Sequence, residues 1–259
     1  MPLSPCPRFD ASLTPTREQR DIRNDPCPII VAVVVLIEIW SDVVCPWCYL
    51  GSRRLSTAIN RFAVSHPDQR PTVRWRAYEL DPRAPVEPRP MRPVIDAKYG
   101  PGAFESMTAR LTALGEPEGI DYRFEQTLRV NTFDAHRLIA WAGSLDDANP
   151  SDADTDPAGA QDRLSDALFH AYFTEGRNVA EPATLIEICA GAGLDRDVAA
   201  EVLSSGSFGS EVRADEAAAG DRDITGVPAT VVDGRLLVPG AQEVETFLRV
   251  LERAAERAG

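Results

Sequence analysis

An α/β fold is predicted from three features of the sequence. A strand–helix–strand run opens the organised part of the chain, a long helical block follows it, and the end returns to strand–strand–helix. Residues 33–40 (VVVLIEIW) are β-branched and almost wholly apolar, the pattern of a central strand covered on both faces. From Pro46 onward the period becomes helical. Leu50, Leu55, Ala58, Ile59 and Phe62 fall on one face, and Arg53, Arg54 and Arg61 are read as lying mostly off it. This helix should end near His66-Pro67. Residues 72–80 alternate apolar and polar positions, which predicts a second strand, parallel to the first.

Residues 81–93 are proline-rich and read as an irregular exit loop. Helical signals then dominate, with segments at 93–99, 101–114, 132–143, 160–174, 182–191, 195–204 and 207–219. Between 144 and 160 the Asp/Ala/Pro/Ser composition predicts a solvated loop. Strand character returns at 229–232. Asp233-Gly234 supplies a hairpin turn, 236–238 forms the partner strand, and 242–258 is an amphipathic helix turning Val244, Phe247, Leu248 and Leu251 inward. The order β-α-β, helical insertion, β-β-α is that of a thioredoxin fold with a large all-helical insertion domain. The predicted division is a disordered tail at 1–32, a thioredoxin-fold domain at 33–84 and 220–259, and the insertion at 85–219. The proline- and charge-rich start of the chain also fits an upstream choice of start codon.

The net charge of -13 repels phosphate backbones and anionic lipid surfaces, so neither nucleic acid nor a membrane is expected as a partner. The apolar run 29–37 is far shorter than the ~20 residues of a membrane span. It leads straight into a Cys-x-x-Cys segment with no cleavage site between, so it reads as a buried strand and not a signal peptide. Five cysteines (Cys6, Cys27, Cys45, Cys48, Cys189) are too few and too unevenly spaced for a disulfide scaffold. One close pair among scattered single thiols predicts a reducing, cytoplasmic setting.

The chemistry converges on Cys45-Pro46-Trp47-Cys48. A nucleophilic sulfur must be a thiolate, and a helix N-terminus offers unpaired N–H groups and about half a positive charge to hold one. Cys45 stands where strand gives way to helix. Pro46 suits the first turn, where its missing N–H is not needed. Cys48 follows one turn later on the same side, placed to act as the resolving thiol. The pair could instead be half of a zinc site, but that needs a second ligand pair. Cys189 stands alone, and His66, His136 and His170 have no ligand-spaced partner, so no metal is expected. A proline directly before a strand, at Val227-Pro228, predicts a cis bond that sets the Val227 backbone beside Cys45, open to an extended substrate. Catalysis is therefore assigned to Cys45 and Cys48, and substrate contact to Pro46, Trp47, Val227 and Pro228.

The segment Ile39-Trp40-Ser41-Asp42-Val43-Val44-Cys45-Pro46-Trp47-Cys48-Tyr49-Leu50-Gly51 resembles the opening signature of DsbA-like oxidoreductases of the FrnE type. Asn131-Thr132 with Ala135-His136-Arg137, and 168–173 (LFHAYF), resemble motifs of that family's insertion. Gly226-Val227-Pro228 and 238–242 (VPGAQ) resemble its cis-proline loop and closing segment. The likeness spans about 35 to 255. It implies a dithiol site carried by Cys45 and Cys48. It also implies kinship with kappa-class glutathione transferases and 2-hydroxychromene-2-carboxylate isomerases, which resemble this fold but carry serine where Cys45 stands.

Other residues read two ways. Asp42 is a proton acceptor for Cys48 or a capping or turn residue. His136 faces the cleft or is a satisfied packing histidine. Phe133, Trp141, Phe169, Tyr172 and Phe173 form the insertion's core, or the wall of a cleft. Cys189 is a buried inert thiol. The expected partners are thiol or disulfide substrates, protein or small molecule. No resident cofactor is expected, with glutathione a candidate co-substrate, and no sequence signal bears on oligomeric state. The leading expectation is a thiol–disulfide oxidoreductase. A glutathione-dependent isomerase or transferase is the alternative, and a client-holding module with incidental cysteines is the third.

Overall fold

The computed structural model describes residues 35–67, 69–148 and 159–258. Cys6, Cys27, the tail assigned to 1–32 and most of the predicted 144–160 loop lie outside the described residues. A four-stranded sheet organises the rest, in the order β2-β1-β5-β6. Its strands are β1 (Leu36–Ser41), β2 (Thr72–Ala77), β5 (Ala229–Val232) and β6 (Leu236–Pro239). Strand β1 is central. It runs parallel to β2, with Ile39 opposite Trp75, and antiparallel to β5, with Ile39 opposite Thr230. Helix α1 (Pro46–Ser65) leaves the end of β1 and packs with α9 (Val244–Ala258).

The alternation of β1 explains the layering. Ile37 and Ile39 enter the main core with Leu55, Phe62, Phe247 and Leu251 of α1 and α9. Trp40 points to the other face, among Ala219, Ile224, Ala229 and Val231, and donates its indole N–H to the Asp215 carbonyl at 2.8 Å. Glu38 shares that face. It is buried and paired with Arg76 at 2.7 Å, a polar contact hidden inside an apolar run.

The insertion comprises α2 (Met91–Tyr99), α3 (Ala103–Gly115), α4 (Phe133–Ala148), α5 (Gly159–Phe173), α6 (Pro182–Gly191), α7 (Arg196–Ser205) and α8 (Gly209–Asp221). It is helical apart from short 3-10 turns and a two-residue ladder between β3 (Arg89–Pro90) and β4 (Leu128–Arg129). Helix α4 runs to Ala148, into the stretch predicted as loop. Strand β2 would be an open edge, and the insertion seals it. Gln161 of α5 accepts the Trp75 N–H at 2.9 Å and donates to the Trp75 carbonyl at 3.2 Å. Asp215 of α8 accepts the Ala77 N–H at 3.1 Å. Gly143 makes room for this lock, since a Cβ there would sit 2.7 Å from the Gln161 amide nitrogen. The described residues form one compact unit.

Asp162, next to Gln161, accepts the Trp75 indole N–H. Burial pushes its carboxyl up to about 6, against the lowering effect of that hydrogen bond, with Asp146 and Asp166 adding repulsion. An unfolded aspartate titrates near ~3.9. The folded state therefore holds the proton more tightly, and the stability this brings below pH ~4 is lost as pH rises towards 6. Asp162→Asn keeps an oxygen for Trp75 and carries no charge. It is expected to raise stability at pH 7 by about 1–2 kcal/mol, allowing for solvent screening, and to add little at pH 4. Urea denaturation at the two pH values measures the difference.

Candidate active site

Strand β1 ends at Ser41, and the turn Asp42-Val43-Val44 brings the chain round to α1. Cys45 is the N-cap residue, with extended backbone angles (φ -90°, ψ 112°). Its N–H donates to the Asp42 carbonyl at 3.0 Å, and its own carbonyl accepts from the Cys48 N–H at 3.0 Å. Pro46 occupies the first turn, which has no side-chain cap and no acidic residue. No other negative side chain in that first turn therefore competes with the sulfur for the helix terminus. Cys45 and Cys48 approach to 3.3 Å, both as free thiols and both buried. Burial first, then the hydrogen bond and charge of Cys45, pushes the Cys48 thiol well up.

The other side of the site comes from the loop before β5. The Val227–Pro228 bond is cis. The Val227 carbonyl lies 3.6 Å from Cys45 Sγ, and the Pro228 carbonyl accepts the Gly240 N–H at 2.7 Å. Gly51 of α1 lets this loop approach. A Cβ there would meet Pro228 Cγ at 3.2 Å and the Ala241 backbone at 3.4 Å. The structure thus brings Cys45, Cys48, Pro46 and Val227-Pro228 together. Trp47 is half-exposed beside them, with the Arg110 guanidinium 5.5 Å from its ring centre.

Several supporting residues were not assigned to the site from the sequence. Tyr122 of the insertion donates its hydroxyl to the Pro46 carbonyl at 2.5 Å. Tyr49 stacks on Phe169 at 5.1 Å and meets Tyr122 edge-on at 5.9 Å, so an aromatic cluster ties α1 to α5. Arg54, predicted to lie off the buried face, is buried. It pairs with Glu118 at 3.0 Å and Glu243 at 2.8 Å, and donates to the Ala241 carbonyl at 3.1 Å.

Among the residues read two ways, Asp42 does not cap α1 with its side chain. Its Oδ2 accepts the Leu80 N–H at 2.7 Å. His136 is packed in but not satisfied: its Nε2 has no hydrogen-bond partner and stands 3.4 Å from Asp42 Oδ1. Arg137 beside it is buried and donates to the carbonyls of Val202, Leu203 and Ser207 at the end of α7, which fixes the orientation of α4. Trp141, Phe169, Tyr172 and Phe173 are core residues. Phe133 is only half-buried and carries the Arg213 guanidinium over its ring at 4.4 Å. Cys189 is buried, and burial raises its thiol to about 12, which makes it inert at neutral pH.

Comparison with known proteins places this chain in a family. A curated relative, the uncharacterized protein YwbO of Bacillus subtilis, is 23% identical over 85% of this chain and 96% of its own length. The crystal structure of the probable DsbA oxidoreductase SCO1869 from Streptomyces coelicolor superposes with a TM-score of 0.73 at 33% identity, over 85% of this chain and 89% of that one. The cytosolic disulfide reductase DsbM from Pseudomonas aeruginosa, solved also with GSH, shares the fold at 17% identity and a TM-score of 0.56, over 86% of this chain and 99% of that one. The description of the DSBA-like thioredoxin domain matches residues 36–252, and the chain belongs to this family of DsbA-like oxidoreductases.

Proposed function

We propose that this protein exchanges disulfides through Cys45 and Cys48, with Cys45 as the attacking thiol and Cys48 as the resolving one. The observation that carries the reading is their 3.3 Å approach at the N-terminus of α1, with Cys45 facing the Val227 carbonyl. In the reducing direction Cys45 attacks a substrate disulfide. One substrate sulfur leaves and the other stays bound to Cys45. Cys48 then attacks Cys45 Sγ, a Cys45–Cys48 disulfide forms, and the second substrate sulfur leaves as a thiolate. The two electrons gained by the substrate are those lost by the pair. The reverse sequence oxidises a substrate dithiol.

Val227 offers its carbonyl to an extended substrate backbone, and Pro46, Trp47 and Pro228 border the approach to the sulfur. Peptide disulfides and glutathione both suit such a surface. Glutathione is the proposed small co-substrate, in line with the fold it shares with DsbM. A cytosolic setting fits the scattered single thiols. Among the described residues no helix is long and apolar enough to cross a membrane.

Cys48→Ser tests the assignment. Incubated with a disulfide-bonded protein such as insulin, this variant should accumulate a mixed disulfide at Cys45, visible as a reducible adduct by mass spectrometry, and should not turn over. Full activity of Cys48→Ser in the presence of glutathione would overturn the dithiol reading and favour a glutathione-dependent isomerase or transferase.

A further inference from the structure

The mechanism leaves one step without an acceptor. Burial keeps Cys48 a thiol, so its proton must go somewhere before it attacks Cys45. Close by, four buried side-chain atoms have no hydrogen-bond partner: Ser41 Oγ, Asp42 Oδ1, His136 Nε2 and Ser165 Oγ. Asp42 is 1% exposed and His136 3%. Buried polar atoms are seldom left unpaired, and four together call for an explanation. Three of these residues, Ser41, His136 and Ser165, line one cavity of about 10 Å³ together with Trp75, Ile139 and Phe169. That volume is at the lower bound for a single water, and three polar groups are the usual number for a buried one. Ser41 also lies against the Cys48 thiol.

We propose that Ser41, one water held in this cavity, and the His136–Asp42 pair form the route by which the Cys48 proton leaves and returns. The proposal rests on Cys48 being the resolving thiol. As Cys48 attacks, its proton passes to Ser41 Oγ, the proton of Ser41 passes to the water, and a proton of the water passes to Nε2 of His136. The new Nε2–H faces Asp42 Oδ1, 3.4 Å away, whose second oxygen is held by the Leu80 N–H. The Cys45–substrate bond breaks as the Cys45–Cys48 bond forms, and the leaving thiolate takes the electron pair. The proton stays on His136 and goes back along the same path when Cys48 is regenerated. The side chains of His136 and Asp42 act through Ser41 and the water, while the Asp42 backbone lies against the sulfur. They are positioning residues for the proton, carried by α4 and the end of β1.

Other charges face His136 besides Asp42. Arg76 of β2 lines the same cavity. Glu79, bound to Arg213, and Asp215 of α8 both feel the imidazole charge.

The test separates the two chemical steps in the full-length chain. Reduced protein is mixed with oxidised glutathione, quenched in acid at intervals, and weighed by mass spectrometry. The Cys45–glutathione adduct reports attack, and its decay to the internal disulfide reports resolution. His136→Gln and Asp42→Asn should leave attack within about twofold of the parent. Resolution should slow by about 100-fold, within the range of general acid–base effects, and its pH profile should flatten. Ser165→Ala removes one ligand of the water and should slow resolution alone, with the same flattening.

Equal slowing of both steps, or resolution at the parent rate in His136→Gln and Ser165→Ala, would overturn the relay. If His136→Gln does not fold, Ser165→Ala decides by the same criterion. Failure of the parent protein to form any adduct or internal disulfide would instead strike the dithiol reading.

Discussion

A Cys45→Ser protein is expected to lose disulfide exchange by at least about 10³-fold and yet to melt no lower than the parent. The loss follows from chemistry. A serine hydroxyl is not ionised at neutral pH and is a weak nucleophile without a general base beside it. The retained stability follows from the helix. Cys45 is the N-cap of α1 and makes no side-chain cap bond, and its sulfur meets the Val227 carbonyl only at 3.6 Å. Serine is among the best N-cap residues because its oxygen accepts a first-turn N–H, an effect of about 0.5–2 kcal/mol. The melting temperature should therefore hold or rise slightly while turnover of insulin or oxidised glutathione disappears. That opposition of signs is what a functional cysteine at a capping position predicts. A protein in which Cys45→Ser melts lower and keeps its activity would have a structural cysteine there and its chemistry elsewhere.

The same helix shows which parts of the molecule can be read from sequence. Local periodicity carried α1, β1, β5 and α9 almost to their ends, because each turns a continuous apolar face into the core. The pair at Cys45 and Cys48 was legible for a related reason, since motif, helix start and spacing all lie within a few residues. Arg54 was misread, although a signal existed. It stands four residues from both Leu50 and Ala58, so the helical period places it on the buried face. Its charge argued it outward, and its partners are what allow it inside. Tyr122 gave no such clue, because its contact with Pro46 spans 76 positions and belongs to no periodic element. The His136–Asp42 approach and the Gln161 lock on Trp75 are likewise tertiary, made only when α4 and α5 close over the edge of β2. Sequence pattern reports which face of an element is apolar. It does not report which polar groups meet across the gap between elements.

Arg54→Ala is expected to be strongly destabilising. The Arg54 side chain is 6% exposed and has three partners on two segments. Nε meets Glu118 in the turn after α3, and the terminal nitrogen meets the Ala241 carbonyl and Glu243 before α9. Glu118 is itself mostly buried, whereas Glu243 is exposed and contributes little. Truncation leaves the Glu118 carboxylate and the Ala241 carbonyl without their donor, and removing one partner of a buried pair costs about 3–5 kcal/mol. Arg54→Lys should recover only part of this, since one ammonium on a flexible stem does not reproduce a planar fork spanning two segments. Arg54→Met, which restores the packing volume without the charge, should fall between Lys and Ala. Chemical denaturation of the three variants orders them. The functional consequence follows from Ala241, which lies with Pro228 against Gly51 of α1. Loss of the Arg54 bond frees the segment that holds the cis-proline loop next to Cys45. Turnover per folded molecule should then fall as well, chiefly through weaker substrate binding. A cost below about 1 kcal/mol for Arg54→Ala, at the level of an exposed ion pair, would mean that water replaces these contacts and that the loop is held by the Gly240–Pro228 hydrogen bond alone.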